Sequence, residues 1–181
     1  TAGYATIAND GQYIEPSFYT LVEKRNGKPL IKSKQKKKVV LSKESAYIVK
    51  ELLTQPILGE NGTARYCKVN NISTAAKTGT TDDNYDRWLC GFTPYYTATT
   101  WFGYDINESI EFNGLNPAGS IWSNVMNKIH SNLPSASFEK PSKVIYEIIC
   151  TDTGKKATTN CTHTIPEYFL KDTVPDLCTA H

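Results

Sequence analysis

The chain has 181 residues, enough for one domain of ordinary size or one domain with a small appendage. Apolar residues make up 39%, charged residues 21%, and the formal net charge is +2, which excludes a disordered chain and gives no sign of nucleic-acid binding. No apolar run reaches the roughly 18 residues of a membrane span, and no signal peptide opens the chain, so any export or anchoring signal is expected in a segment this chain lacks.

Taken in chain order, Ala2, Tyr4, Ala5, Ile7 and Ala8 predict a helix stopped by Asn9-Asp10-Gly11. No cap precedes it, so its start is expected upstream. Tyr13-Ile14 and Phe18–Glu23 read as extended. Asn26-Gly27 is the strongest hairpin signal and returns the chain through Leu30-Ile31. Eight basic residues (Lys24, Arg25, Lys28, Lys32, Lys34, Lys36, Lys37, Lys38) surround this turn with no acid among them, leaving 12 basic against 18 acidic elsewhere. The run reads either as a solvated hairpin or as a grip on an anionic polymer or phospholipid headgroups.

Ser42 predicts an N-cap for a helix from Lys43 to about Gln55, closed by Pro56, with Ala46, Ile48, Val49, Leu52 and Leu53 as its apolar face. A polar turn, Gly59 to Gly62, leads to a short helix near Thr63-Ala64-Arg65. Three strands follow, Ile72–Thr80, Arg87–Thr93 and Tyr96–Tyr104, joined by short turns and therefore antiparallel neighbours. A helix from Pro117 buries a stripe of Ile121, Trp122, Val125, Met126, Ile129 and Leu133, and Pro134 ends it. Residues 134–141 read as a linker, with a boundary near Ser137. Beyond it Val144–Cys150 reads as a strand and the rest as loop-rich. The fold class is α/β (α+β in the stricter sense), an antiparallel sheet packed with helices. Residues 1–136 form the body and residues 137–181 a small Cys-containing extension.

The chemistry centres on Lys77-Thr78-Gly79-Thr80-Thr81. An isolated Lys-Thr-Gly at a strand end is usually a solvated turn. Here it ends a predicted strand, and Arg87-Trp88-Leu89-Cys90-Gly91-Phe92-Thr93-Pro94 returns beside it, followed by Trp101-Phe102-Gly103-Tyr104-Asp105. Upstream stand Tyr4-Ala5-Thr6-Ile7-Ala8-Asn9-Asp10-Gly11, Tyr13-Ile14-Glu15-Pro16 and Gly62-Thr63-Ala64, and downstream Ile121-Trp122. That order, from about Ala2 to Met126, resembles the transpeptidase domain of the bifunctional class A penicillin-binding proteins.

The resemblance implies acyl transfer from a peptide ending in D-Ala-D-Ala through a serine nucleophile, with no cofactor required for catalysis. Lys77 and Thr80 are then the catalytic candidates on this chain. Thr78, Gly79, Thr80 and Thr81 are the substrate-binding candidates. The Thr80 N–H is half of the oxyanion hole, and the Thr78 and Thr80 hydroxyls hold the substrate carboxylate. A strand puts Thr78 and Thr80 on one side, and Gly79 between them leaves room for a peptide along the edge. Implied partners are peptidoglycan stem peptides, β-lactams in the full domain, and the N-terminal half of the same domain. No nucleic acid and no membrane contact by this chain itself are expected. The implied location is the extracytoplasmic face of a bacterial membrane.

The family also uses Ser-x-x-Lys and Ser-x-Asn. Ser-x-x-Lys occurs at Ser33/Lys36 and Ser137/Lys140, but neither opens an apolar helix, and Ser-x-Asn is absent. Both motifs are expected before Thr1, and this chain alone is expected not to react with penicillin. Two other functions stay open: a serine β-lactamase-like hydrolase, and a non-catalytic wall-binding or sensor module.

Asp82, Asp83 and Asp86 read as turn formers rather than a metal or acid–base set. Trp88 and Trp101 read as core against a helix, with a groove wall as the rival reading. Cys67 and Cys90 read as buried apolar residues. Cys150, Cys161 and Cys178 lie with His163 and His181 in the last 32 residues. Cys150, Cys161, Cys178 and His181 make a Cys3His zinc set, with His163 a rival ligand. A disulfide and free thiols are equally open, since the Cys150–Cys161 gap is not a standard zinc-finger spacing.

Overall fold

The computed structural model describes residues 1–181. Helix α1 (Ala2–Ala8) stops where Asp10 (φ 53) and Gly11 (φ 81) turn the chain in the left-handed region. A Cβ at Gly11 would lie 2.2 Å from the Leu41 carbonyl oxygen, so this turn admits only glycine. Four short strands follow: β1 (Gln12–Ile14), β2 (Leu21–Glu23), β3 (Pro29–Lys32) and β4 (Lys37–Val39). β2 and β3 pair antiparallel around Asn26-Gly27, with Gly27 at φ 74. β4 returns to pair with β1, a strand hidden in the sequence by its lysines. All eight clustered basic side chains are exposed.

Helix α2 spans Lys43–Leu58, and Ser42 Oγ accepts the Ser45 N–H at 3.0 Å as the expected cap. Pro56 does not close it. Proline removes one donor in the last turn, but the carbonyl it leaves unmatched belongs to exposed Leu52, where water reaches it. The buried face is Ala46, Tyr47, Lys50, Thr54 and Ile57, rotated from the expected apolar one, and Leu52 is exposed. Lys50 is buried because its ammonium pairs with Asp10, which ties the end of α1 to α2.

The main sheet has strands β5 (Ala75–Thr80), β6 (Asp86–Phe92) and β7 (Thr97–Gly103), antiparallel in the order β5-β6-β7. Helix α3 (Pro117–His130) starts with Asn116 Oδ1 accepting the Ala118 N–H at 3.0 Å, and packs on one face of that sheet. The core lies between them: Ala76 and Leu89 from the sheet, Trp122 and Met126 from α3, with Cys67, Val69 and Ile57 closing the side. Ile121, Val125 and Ile129 are exposed, contrary to the expected stripe. Small Ala118 and Gly119 turn the helix so that Trp122, Met126 and His130 face inward. His130 Nδ1 lies 2.7 Å from the Met126 carbonyl, which can only accept, so that nitrogen donates. Thr93 Oγ1 accepts the Tyr95 and Tyr96 N–H groups and gives its own proton to His130 Nε2 at 2.8 Å. This buried imidazole thus locks the β6–β7 turn.

The segment after α3 is strapped to the body rather than slack. Ser73 N–H donates to the Ala136 carbonyl at 2.9 Å, and Phe138 packs on Phe92 with ring centroids 5.6 Å apart. The extension is a hairpin of β8 (Val144–Cys150) and β9 (Thr164–Leu170), where the sequence suggested loop after β8. Pro166 disguises β9, but a two-stranded sheet has only edges, and an edge tolerates proline. Tyr168 of β9 meets Tyr47 of α2 edge-on at 5.6 Å.

The accessible surface is 12172 Å². A folded monomer of this mass exposes about 8,700 Å². Exposed Phe18, Leu30, Val39, Leu52 and Val125 belong to that excess.

Candidate functional site

β5 begins in the core and ends in solvent. Ala75 and Ala76 are fully buried, Ala76 in one core cluster with Ile57 of α2 and Trp122 of α3, whereas Lys77 and Thr80 are exposed. β5 is an edge strand, with β6 on one side only. The register pairs Thr80 with Arg87, and the Thr81 N–H donates to the Asp86 carbonyl at 3.3 Å. In an antiparallel ladder alternate residues turn their backbone groups toward the partner. Thr81, Gly79 and Lys77 therefore bond to β6, while the N–H and C=O of Thr78 and Thr80 point to the free edge. Lys77 Nζ donates to the Thr78 carbonyl at 3.0 Å across that edge, placing its cation where the backbone is open.

The hydroxyls have distinct neighbours. Thr78 Oγ1 is 3.3 Å from Thr63 Oγ1, and Thr80 Oγ1 accepts from Arg87 Nη1 at 3.0 Å. Arg87 also donates from Nη2 to Asn84 Oδ1 at 2.8 Å and lies over the Phe112 ring at 4.8 Å. Sequence reasoning assigned no role to Thr63 or Arg87. For Arg87 the usable signal was its place across the turn from Thr80. Thr81 Oγ1 donates to Asp86 Oδ2 at 3.0 Å and accepts the Asp86 N–H at 2.8 Å, so its hydroxyl closes the hairpin. Asp86 also accepts from Trp101 Nε1 at 2.6 Å, which spends this carboxylate on the turn.

Trp88 and Trp101 are not core residues. They pair across β6 and β7 on the exposed face, ring centroids 6.4 Å apart, and the indole in the core is Trp122. The alternation places them with Gly79, opposite α3. A Cβ at Gly79 would lie 3.1 Å from the Trp88 Cβ. Gly79→Val is therefore expected to push Trp88 aside and cost about 1–2 kcal/mol. The readout is the urea midpoint with tryptophan emission; an unshifted midpoint would mean that β5 and β6 make room for the added carbon at no cost.

Cys67 is fully buried, and burial pushes its thiol up to about 11, so it is inert at neutral pH. Cys90 is only half-buried and accepts from Thr99 Oγ1 at 3.6 Å, which corrects the expectation of a buried pair. In the extension, the ligating atoms of Cys150, Cys161, Cys178 and His181 all lie within 4.8 Å of one another. His163 stays outside the group, its side chain 73% exposed beside Asp152. The Cys178 thiol is lowered to about 7, first by a hydrogen bond from Thr153 and then by the Ala180 backbone.

An edge strand ending in Lys-Thr-Gly-Thr, an antiparallel partner hairpin and a helix behind it define a class. Residues 1–127 match the penicillin-binding protein transpeptidase domain, and the chain belongs to that family. Residues 140–181 match the C-terminal domain of penicillin-binding protein 1A. The chain is 34% identical over 179 residues to penicillin-binding protein 1A of Clostridium botulinum, covering 95% of this chain and 21% of that protein. It is 32% identical over 179 residues to penicillin-binding protein 1A of Aquifex aeolicus, covering 98% and 24%. The chain thus spans about a fifth to a quarter of the length of these relatives. The crystal structure of penicillin-binding protein 1A from Haemophilus influenzae superposes with a TM-score of 0.78 at 23% identity, over 96% of this chain and 32% of that one.

Proposed function

We propose that this chain is the substrate-binding side of a serine-type D,D-transpeptidase that cross-links peptidoglycan. The observation that carries the reading is the free edge of β5, where the Thr78 and Thr80 backbone groups point outward beside the Lys77 cation. A stem peptide ending in D-Ala-D-Ala lies antiparallel along this edge, as an added strand. Its carboxylate is oriented by Lys77 and by the Thr78 and Thr80 hydroxyls. The Thr80 N–H donates to the oxygen that becomes negative when a serine attacks the carbonyl. The serine bonds to the acyl carbon, the amide C–N bond breaks, and D-alanine leaves with a proton. The amine of a second stem peptide then takes the acyl group and restores the serine.

The nucleophile belongs to the upstream part of the domain, which covers apolar surface left open here. A membrane anchor also lies upstream in this reading; no helix of this chain is long and apolar enough to cross a membrane. The likeness of residues 140–181 to a penicillin-binding protein 1A C-terminal domain favours a transpeptidase over a β-lactamase-like hydrolase. The extension is proposed to be a unit of its own from about residue 137.

The test is labelling with a fluorescent β-lactam. The 181-residue chain is expected to form no covalent adduct. A longer chain that adds the upstream Ser-x-x-Lys segment is expected to form one, and Lys77→Ala in it is expected to slow acylation on the order of 100-fold. An adduct on the short chain, or none on the long one, would sink the assignment. A non-catalytic sensor module predicts that second result.

A further inference from the structure

We propose that Cys150, Cys161, Cys178 and His181 form a structural zinc site that holds the C-terminal extension together. Three soft sulfur ligands and one imidazole suit a tetrahedral d¹⁰ ion, and four protein ligands leave no open position for substrate. The ligating atoms already lie within 4.8 Å of one another, so at the longest they must close by about 1 Å to reach the roughly 3.8 Å edge of such a tetrahedron, a shift within the reach of side-chain rotation. All five cysteines of the chain are free thiols in this structure. A disulfide would use two of the three clustered sulfurs and leave the third thiol and the histidine unexplained. Zinc uses all four.

The extension needs a cross-link. From residue 140 to 181 only Val144, Ile149, Cys150 and Cys178 are buried, and two of these are proposed ligands. A single two-stranded hairpin is marginal in water, and a unit of about 40 residues ordinarily relies on disulfides or a metal. The ligands come from three places: the end of β8, the turn before β9, and the segment after β9. Backbone bonds bring these together. Cys150 N–H donates to Lys155 O at 2.8 Å, Cys178 N–H to Lys156 O at 2.8 Å, and Lys156 N–H to Asp176 O at 3.0 Å. The Thr158 N–H approaches Cys161 Sγ at 3.4 Å, as an N–H does to a thiolate ligand. Asp152 Oδ2 stands 3.3 Å from His181 Nε2, the carboxylate support that histidine ligands commonly carry.

The experiment uses the whole 181-residue chain grown with added zinc, one portion purified with reductant for metal analysis and one without it for mass and thiol titration. Elemental analysis is expected to find about one zinc per chain. Cys161→Ser and Cys178→Ser are expected to lose at least fivefold of that zinc, and Cys90→Ser to lose none. Cobalt added to the metal-stripped chain is expected to give tetrahedral d–d bands with sulfur-to-metal charge transfer. That spectrum keeps the test decisive if a serine variant fails to fold. Three results would overturn the proposal: less than about 0.2 equivalents of zinc without the cobalt bands, zinc retained in both ligand variants, or a mass two hydrogens short with thiols unreactive until reduced.

Discussion

Replacing Trp122 by alanine is expected to destabilise the chain by about 4 kcal/mol, the largest single-residue loss in the body. Trp122 has no exposed surface, and its ring fills the space between α3 and the sheet. A Cβ on Gly91 would come within 2.8 Å of that ring, so the sheet is built to admit the indole. Its Nε1–H donates to the Ala98 carbonyl at 3.1 Å. Alanine removes the apolar contact, leaves a cavity walled by rigid sheet, and strands the carbonyl. Trp122→Phe keeps most of the packing and loses the hydrogen bond, for about 1–2 kcal/mol. Urea denaturation separates the two, because the midpoint should fall in proportion while the slope stays constant. Equal losses for the two variants would show that the hydrogen bond, not the packing, holds this contact.

Asp10→Asn is expected to cost about 2–3 kcal/mol, although Asp10 itself is half exposed. The cost arises at Lys50, whose side chain is only 4% exposed and whose one ion-pair partner is Asp10. Asparagine tolerates the positive φ of this position and nearly matches the shape, so the change removes charge and little else. It leaves a buried ammonium with the Phe138 ring, 5.8 Å away, as its remaining favourable neighbour. Lys50→Met added to Asp10→Asn should recover most of the loss, since an apolar side chain needs no partner there. The double-mutant cycle is the measurement, read by thermal melting. A double variant no more stable than Asp10→Asn alone would place the cost elsewhere.

Local signals carried much of the fold. The Ser42 cap, the Asn26-Gly27 turn and the antiparallel order of β5, β6 and β7 depend on neighbours in sequence, and each stands where the pattern placed it. The helix faces did not. Ile121, Val125 and Leu52 are as apolar as Trp122 and Met126, and periodicity cannot tell a surface covered by this chain from one left open. The same ambiguity misplaced Trp88 and Trp101, whose alternation is that of a strand but whose face depends on where α3 lands. In the extension, residue types and the two-residue gap between Cys178 and His181 marked out a Cys3His set, with His163 left as a rival ligand. Folding brings His181 into the group and leaves His163 outside it.

The sequence by itself determined the local chemistry: a Lys-Thr-Gly-Thr strand end, a tight acidic turn, and a hairpin partner behind it. Those follow from side-chain type, turn preference and a two-residue alternation, all short-range. Only the tertiary structure decided that β5 is an edge, which backbone groups of Thr78 and Thr80 face outward, and that Thr63 and Arg87 stand beside them. An edge exists because no other strand pairs there, and that is a property of the whole arrangement rather than of any stretch of residues.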